Sequence, residues 1–506
     1  MRAASYALEA ALYVVIAGSA VAIGAVHPWA YVPLWFAAAV MVVLVALHRL
    51  RLRALQRQLG PHRFAFHPSG RWLVMDPDPR EPNGWGLDLS PPAWPRAPLL
   101  WPGLAFLAWA LIQMVPLPPA IVHSLSPGRG HLSMAEVDRS HPLTIDAAAS
   151  LRGLAFAASM LAFHLAAAAL AAHPACRRRF RAFVAWFGAA LALVALVQIA
   201  VAARRIYGVF KPLESDTFYG VFVNRNHFAA YMTLCAMVAL AVLHRALRGY
   251  RLRLGPRSNL RRGILALGKP EGVRLILALI PVLLTIGALI ASTSRGGILA
   301  FVGALVLASS GIRRDRQRLP VGVFAFVLLI LPLAWFGLDR LEQRFSQIQG
   351  DEIGRTAVWR HSVAAMSGTW LTGAGLNTFQ QAITQVMPLA VPAGATGWPP
   401  EIAAAIPARL RIGRRTPAEL ESWQWYREAH NDYVQLAVEM GVIGAAIGIW
   451  GLVMLIARMR EPWLGAGAAG ILVHSTVDFS LQIPAVAVLF FAVSAYATRT
   501  SFIMRS

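Results

Sequence analysis

The sequence is short of three things that a soluble enzyme has in quantity: charge, acid and cysteine. Charged residues are 14% of the 506 and hydrophobic residues 57%, whereas an average globular chain has about 25% charged. That balance excludes an ordinary soluble enzyme and a disordered regulator. The two cysteines, Cys176 beside a basic run and Cys235 inside an apolar one, exclude a disulfide scaffold and leave no CxxC metal site. There is no Walker loop and no internal repeat, so a nucleotide hydrolase or ATP-driven pump has no support. Acid is short as well: 24 Asp+Glu against 47 Lys+Arg leave a net charge of +23. In a soluble chain that surplus suggests nucleic acid, but in an apolar chain it is first an orientation signal.

A hydrocarbon core of about 30 Å takes roughly 20 apolar residues of helix. Twelve stretches near that length are read at 6–26, 29–48, 97–115, 149–172, 182–203, 222–243, 273–291, 296–311, 320–337, 432–457, 463–478 and 484–498. The eleventh is short and rich in Gly and Ala. The first resembles a signal peptide, but it runs straight into a second span and is taken as a true one. With the N-terminus inside, the inner segments collect 30 of the 47 basic residues, including eight Arg between 49 and 96, Arg177 to Arg181 and nine Lys/Arg from 245 to 274. The expectation is therefore an all-α polytopic protein, one integral membrane domain over 1–506 with both termini cytoplasmic. Residues 49–96 form a cytoplasmic insertion, and the segment 338–431 lies outside, before the tenth span. No nucleic acid is needed to explain the charge; contact with anionic membrane lipids is compatible with it.

Polar groups gather at the outer ends of the spans, where an Arg is neither an orientation signal nor easily buried. Phe222-Val223-Asn224-Arg225-Asn226-His227-Phe228 opens span six, with Asn224, His227 and Tyr231 on one helical face. Asn224 also reads as a helix cap and Arg225 as a snorkelling cation. Ser292-Thr293-Ser294-Arg295-Gly296-Gly297 forms a tight turn whose glycines permit close approach to a ligand. In the outer segment Arg355 and Trp359 are four apart in a short amphipathic helix, followed by Arg360 and by the Thr372-Gly373-Ala374-Gly375 turn. Glu428-Ala429-His430-Asn431-Asp432-Tyr433-Val434-Gln435 enters span ten, with Asn431 expected as N-cap and Asp432 in the first turn. Asn431, Gln435 and Glu439 form a polar stripe, with Gly441, Gly444 and Gly448 packed opposite. A buried Glu439 needs a partner, most simply an arginine. His474 and Asp478, four apart near the end of span eleven, call for a cation from elsewhere, with Arg225 and Arg295 as candidates.

These residues resemble the bacterial O-antigen ligase and polymerase superfamily of integral membrane glycosyltransferases. Its signature is His, then Asn, Ser or Gln, nine residues, Gly, two residues, then Gly, Thr or Tyr; His430, Asn431, Gly441 and Gly444 meet it. Phe222 to Phe228, Ser294 to Gly297, Arg355 with Trp359, Gln113 to Pro119 and His474 to Pro484 support the likeness from span three to span twelve. The resemblance implies a membrane glycosyltransferase C type fold with a long periplasmic loop between helices nine and ten, in the bacterial inner membrane. It implies an undecaprenyl-pyrophosphate-linked glycan as donor, and a lipid-linked glycan or lipid A core as acceptor. Neither metal nor cofactor is implied, and chain-length regulator or flippase proteins are potential partners. Carried over residue by residue, His430 is the candidate base and Arg225, Arg295 and Arg355 hold the pyrophosphate. Asn224, His227, Asn431, Tyr433, Glu439, Asp478 and Arg360 support them or bind the acceptor.

The chemistry is self-consistent. An imidazole of reference pKa near 6.5 is suited to take a proton from a sugar hydroxyl. Arginine forks stabilise a pyrophosphate leaving group without a metal. Attack opposite the departing group inverts the anomeric carbon. The shared motifs do not choose between polymerising O-antigen or exopolysaccharide repeats and ligation to lipid A core in lipopolysaccharide biosynthesis; the size of the insertion and of the outer loop favours the polymerase. A lipid-linked glycan transporter is the rival from another class, but it predicts two related halves and mid-membrane helix breaks, and the polar groups here collect at one face.

Overall fold

The computed structural model describes residues 2–59, 63–66, 72–75, 97–128, 140–211, 219–255, 259–312, 358–386 and 427–498. Its helices are α1 (Arg2–Val21), α2 (Pro28–Leu59), α3 (Leu100–Met114), α4 (Pro119–Leu125), α5 (Ala147–Ala171), α6 (Pro174–Ala200), α7 (Arg225–Leu254), α8 (Leu260–Leu267), α9 (Pro270–Ala291) and α10 (Arg295–Ile312). They continue with α11 (358–366), α12 (Phe379–Val386), α13 (Asp432–Arg458), α14 (Pro462–His474) and α15 (Pro484–Ala497). Eleven of the twelve apolar stretches therefore fall on helix; the ninth, 320–337, lies outside the described residues, as does Arg355.

Among the described residues, six helical stretches are long and apolar enough to cross a membrane: Pro28–Leu50, Ala147–Ala171, Pro174–Ala200, Arg225–Leu254, Pro270–Ala291 and Asp432–Arg458. Tyr6–Val21, Leu100–Met114, Arg295–Ser310 and Pro484–Ala497 are shorter apolar helices. The eleventh stretch is corrected. Helix α14 has 13 residues, which reach only about 20 Å at 1.5 Å per residue. Leu464, Ala468 and Ile471 are fully buried, and α14 packs against α7, α10 and α15 inside the bundle.

The fold is helical as expected; a single short antiparallel pair, β1 (Arg63–Phe66) and β2 (Trp72–Met75), with Arg63 opposite Met75, accompanies the helices. Helix α2 runs on to Leu59, and α6 starts at Pro174, so Arg177 to Arg181 lie within helix rather than in a loop. One acid in the first span escaped the sequence reading. Glu9 is buried and accepts Arg179 Nε at 2.9 and 3.1 Å and the Tyr13 hydroxyl at 2.7 Å, which ties α1 to α6. A paired, hydrogen-bonded charge is the form in which a buried carboxylate is tolerated.

Helix α7 is the centre of the bundle. Its residues from His227 to Ala241 are buried on every side, as expected of a helix that is apolar all round, and α6, α9, α10 and α14 pack around it. Among these contacts, α10 closes on α7 at Gly297, where a Cβ would stand 2.5 Å from the Ala229 Cβ. Small residues of this kind set how closely membrane helices approach.

Helix α13 is not continuous. Gly441 has φ 62 and ψ −168, so the helical hydrogen-bond ladder breaks there. Groups on both sides of the break find partners in the Trp370–Gly375 turn or on α3. Ala374 N donates to Val438 O at 2.9 Å, Gly375 N to Glu439 O at 2.8 Å, and Val442 N to Trp370 O at 2.9 Å. Gln113 Nε2 bridges Thr372 O and Glu439 O, while Trp109 Nε1 donates to Met440 O at 3.0 Å. The two backbones lie too close for side chains. A Cβ on Gly441 would be 2.4 Å from Leu371 O, and one on Gly373 would be 2.3 Å from Glu439 O. Gly441 therefore marks a break in α13 rather than a packing face on an unbroken helix.

Candidate active site

Two helices begin at one end of the bundle with an arginine as first residue. Asn224 caps α7 by accepting Asn226 N at 2.8 Å, which satisfies one of the free amides of the first turn. Ser294 serves α10 in the same way, accepting Gly297 N at 3.3 Å. Ser294 Oγ also donates to Asn226 Oδ1 at 2.8 Å, so the two helix starts are bonded to each other one residue away from both Arg225 and Arg295. Both arginines are half-buried. The partial positive ends of two helix dipoles accompany them, an arrangement that favours an anion. The glycines of this turn admit protein rather than ligand: Gly297 faces Ala229, and a Cβ on Gly296 would be 3.1 Å from the His474 ring.

The entry to α13 is the second component. Asn431 is its N-cap, accepting Tyr433 N at 3.0 Å and Val434 N at 3.1 Å. The Asn431 amide also donates to Thr476 O at 2.9 Å, Asp432 N to Ser475 O at 3.0 Å, and the Tyr433 hydroxyl to Leu472 O at 2.7 Å. Leu481 N completes the set by donating to Asp432 Oδ2 at 3.1 Å. Asn431, Asp432 and Tyr433 thus fasten the end of α14 and the loop 475–483 to the segment that carries His430. Trp359 Nε1, from α11, donates to Ala429 O at 3.1 Å and holds the same segment from the other side. Arg360, the next residue on α11, is exposed.

What these fastenings bring together is His430, Asp478 and His227. His430 Nδ1 is 3.7 Å from Asp478 Oδ1, and His227 Nε2 is 3.9 Å from the same oxygen. The Phe479 ring stands edge-on to both imidazoles, with centroids 5.0 Å from His430 and 4.7 Å from His227. Phe479 N donates to Asp478 Oδ1 at 3.0 Å, and Asp478 Oδ2 is buried without a hydrogen bond. Burial alone would raise the Asp478 carboxyl, but His430, His227 and His474 beside it overrule that effect and hold it below the usual carboxylate range. The candidate cations at Asp478 are thus histidines. The Asp478 side chain is 1% exposed, His227 7% and His430 35%, which makes His430 the member of the cluster that a substrate can reach. His474, its ring bonded to Ser480 Oγ at 2.8 Å, completes the buried side.

His430 adopts φ 50, a left-handed conformation that is uncommon for non-glycine residues, although His takes it more often than most. Sparsely populated backbone of this kind persists where surrounding structure imposes it, and it clusters at functional sites. The surrounding structure here is the set of bonds from residues 429 and 431–433.

Glu439 corrects an expectation. Its carboxylate takes backbone amides instead of an arginine: Asn377 N at 2.7 Å and Phe379 N at 3.3 Å, with Gln435 Nε2 at 3.1 Å. The carboxylate therefore caps α12 from a neighbouring helix. Gln435 also bonds Glu428, whose carboxyl is pushed up to about 8 by burial and by the nearby Glu439. Sequence reasoning missed the break at Gly441, the Gln113 and Trp109 bridges and the place of Phe479. The Thr372-Gly373-Ala374-Gly375 turn was the available signal, since glycines so closely spaced suit backbone-on-backbone contact.

No curated protein matches the chain at a significant level. Residues 280–449, about a third of the chain, match the family model described as O-Antigen ligase. The match runs from within α9 to within α13 and includes Arg295, His430, Glu439 and the Gly441 break, so over this third of its length the membrane protein is similar to the O-antigen ligase family.

Proposed function

We propose that the protein transfers an undecaprenyl-pyrophosphate-linked glycan to a sugar hydroxyl at the periplasmic face of the bacterial inner membrane. The observation that carries this reading is the convergence of a reachable imidazole backed by a buried carboxylate with two arginine-led helix starts. With the His430 Nδ1 proton directed at Asp478, Nε2 keeps its lone pair and accepts the proton of the acceptor hydroxyl. The hydroxyl oxygen then forms the bond to the anomeric carbon. The carbon–oxygen bond to pyrophosphate breaks with its electron pair on the leaving group, whose charge Arg225, Arg295 and Arg355 receive. Attack from the opposite side inverts the anomeric configuration, and no step calls for a metal.

The preferred acceptor is a second lipid-linked repeat, which makes the reaction polymerisation of O-antigen or exopolysaccharide. Ligation to lipid A core is the second reading, favoured by the description of the matched family. The glycan profile of a deletion strain separates them. Single repeats on carrier or on surface core mark a lost polymerase, whereas full-length chains stranded on the lipid carrier mark a lost ligase. In vitro, His430→Ala is expected to bind lipid-linked donor and fail to transfer it; normal turnover removes His430 from the base role.

A further inference from the structure

Asp478 Oδ1 faces two imidazoles at nearly equal distance, 3.7 Å to His430 Nδ1 and 3.9 Å to His227 Nε2. The proposed transfer uses only the first. His227 is fixed in the first turn of the central helix and is 6% exposed, so it cannot itself reach an acceptor sugar. Its ring is held against Phe479, the residue that follows Asp478 and also flanks His430.

We propose that His227 is a positioning residue that sets the pH range in which His430 works as a base, by drawing on the same carboxylate oxygen. This rests on the reading of His430 as the base. A carboxylate beside an imidazole stabilises the imidazolium. If Asp478 served His430 alone, His430 would hold a proton at higher pH and fewer molecules would carry the free base. An N–H dipole from His227 directed at Oδ1 takes up part of the carboxylate's negative potential, and the base form of His430 is favoured. Other titratable neighbours among the described residues include Asp432 at the entry to α13 and His474 at the end of α14, both of which interact electrostatically with Asp478, while Arg225 and Arg295 start the two helices that, respectively, carry His227 and face His474. His474 is bonded to Ser480 and Asp432 to Leu481 N, so both are committed to the loop. The distances of 3.7 and 3.9 Å exceed hydrogen-bond length, as is common at catalytic contacts without substrate. Closure of either by under 1 Å makes it a direct bond.

The test compares His227→Phe, which keeps a ring against Phe479 and removes the dipole, with His227→Gln, which keeps an N–H donor. The full-length protein in proteoliposomes is given lipid-linked glycan extracted from a strain lacking it, and turnover is followed from pH 5.5 to 9. For His227→Phe the acid limb of the profile moves up by about half a pH unit or more, so that turnover is depressed several-fold at pH 6.5 and recovers at pH 8.5. His227→Gln keeps the limb near the wild-type position, and Asp478→Asn moves it down. Loss by one factor at every pH, or a limb that stays or moves down in His227→Phe, overturns the proposal. NMR of histidine ring carbons in detergent gives a substrate-free readout. The His430 signal, assigned by its absence in His430→Ala, titrates at higher pH in His227→Phe, and an unmoved midpoint also overturns the proposal. Turnover by His430→Ala would instead defeat the base reading, so the two failures are distinguishable.

Discussion

Ser294 Oγ donates to Asn226 Oδ1 across 2.8 Å and thereby joins the first turns of α7 and α10. Each partner neighbours an arginine in sequence, so this bond, with the Gly297–Ala229 contact, helps to fix the relative position of the backbones that carry Arg225 and Arg295. Asn226→Ala leaves the buried Ser294 hydroxyl without its acceptor, at a cost of about 1–3 kcal/mol. The expected outcome is roughly a tenfold weaker half-saturation for lipid-linked donor with the pH profile unmoved. Kinetics in proteoliposomes measure this, and unchanged donor affinity would show that the bond has no part in anion binding.

Gly441 and Gly373 face each other backbone to backbone, both with positive φ. Alanine at either position meets a fixed backbone atom and an unfavourable conformation together. Gly441→Ala is expected to lower the thermal unfolding midpoint in detergent by many degrees or to abolish accumulation. Gly287→Ala in α9, where nothing lies within 4 Å of the added carbon, should be neutral or slightly stabilising.

Glu439 holds α12 through Asn377 N and Phe379 N. Glu439→Gln keeps one acceptor oxygen and loses the charge that strengthened both bonds. Hydrogen exchange at residues 377–386 should accelerate by about tenfold, as expected for a loss near 1.4 kcal/mol. Exchange that stays at the wild-type rate would mean that α12 is anchored by other contacts.

Glu428 predicts a pH dependence of stability. Its folded carboxyl, pushed up to about 8, binds its proton more tightly than the unfolded chain, where Glu titrates near 4.3. The native state therefore holds more protons across that interval, and stability falls as pH rises from about 4 to about 8. Asp478, shifted the other way, contributes stability at neutral pH that is lost only in strong acid. Melting in detergent between pH 5 and 9 should show the decline, and Glu428→Gln should flatten it.

The helices were legible because twenty-residue apolar runs have few other uses, and the cap at Asn431 was legible because a polar residue before an apolar run has one common role. The partner of Glu439 was not. Charge arithmetic points a buried carboxylate at an arginine, yet two amides at the start of α12, sixty residues earlier in the chain, satisfy it without a cation. The Asp478 contacts were hidden for the same reason: they cross from α7 to the loop after α14, a distance that no local periodicity spans. Gly441 was visible as a motif residue, while its purpose depended on a turn at 370–375 that only the folded chain brings alongside.

The left-handed backbone at His430 bears on how this protein would respond to redesign. A procedure that rewards only compatibility with the observed backbone would write Gly or Asn at 430, since both accept φ 50 more readily than His. It would keep Asn431 as cap and preserve each fastening of the 475–483 loop, yielding a sturdier protein with no base at the mouth of the site. On the proposed reading of His430 as the base, thermal robustness and glycosyl transfer are set against each other at a single residue, and a screen for one would select against the other.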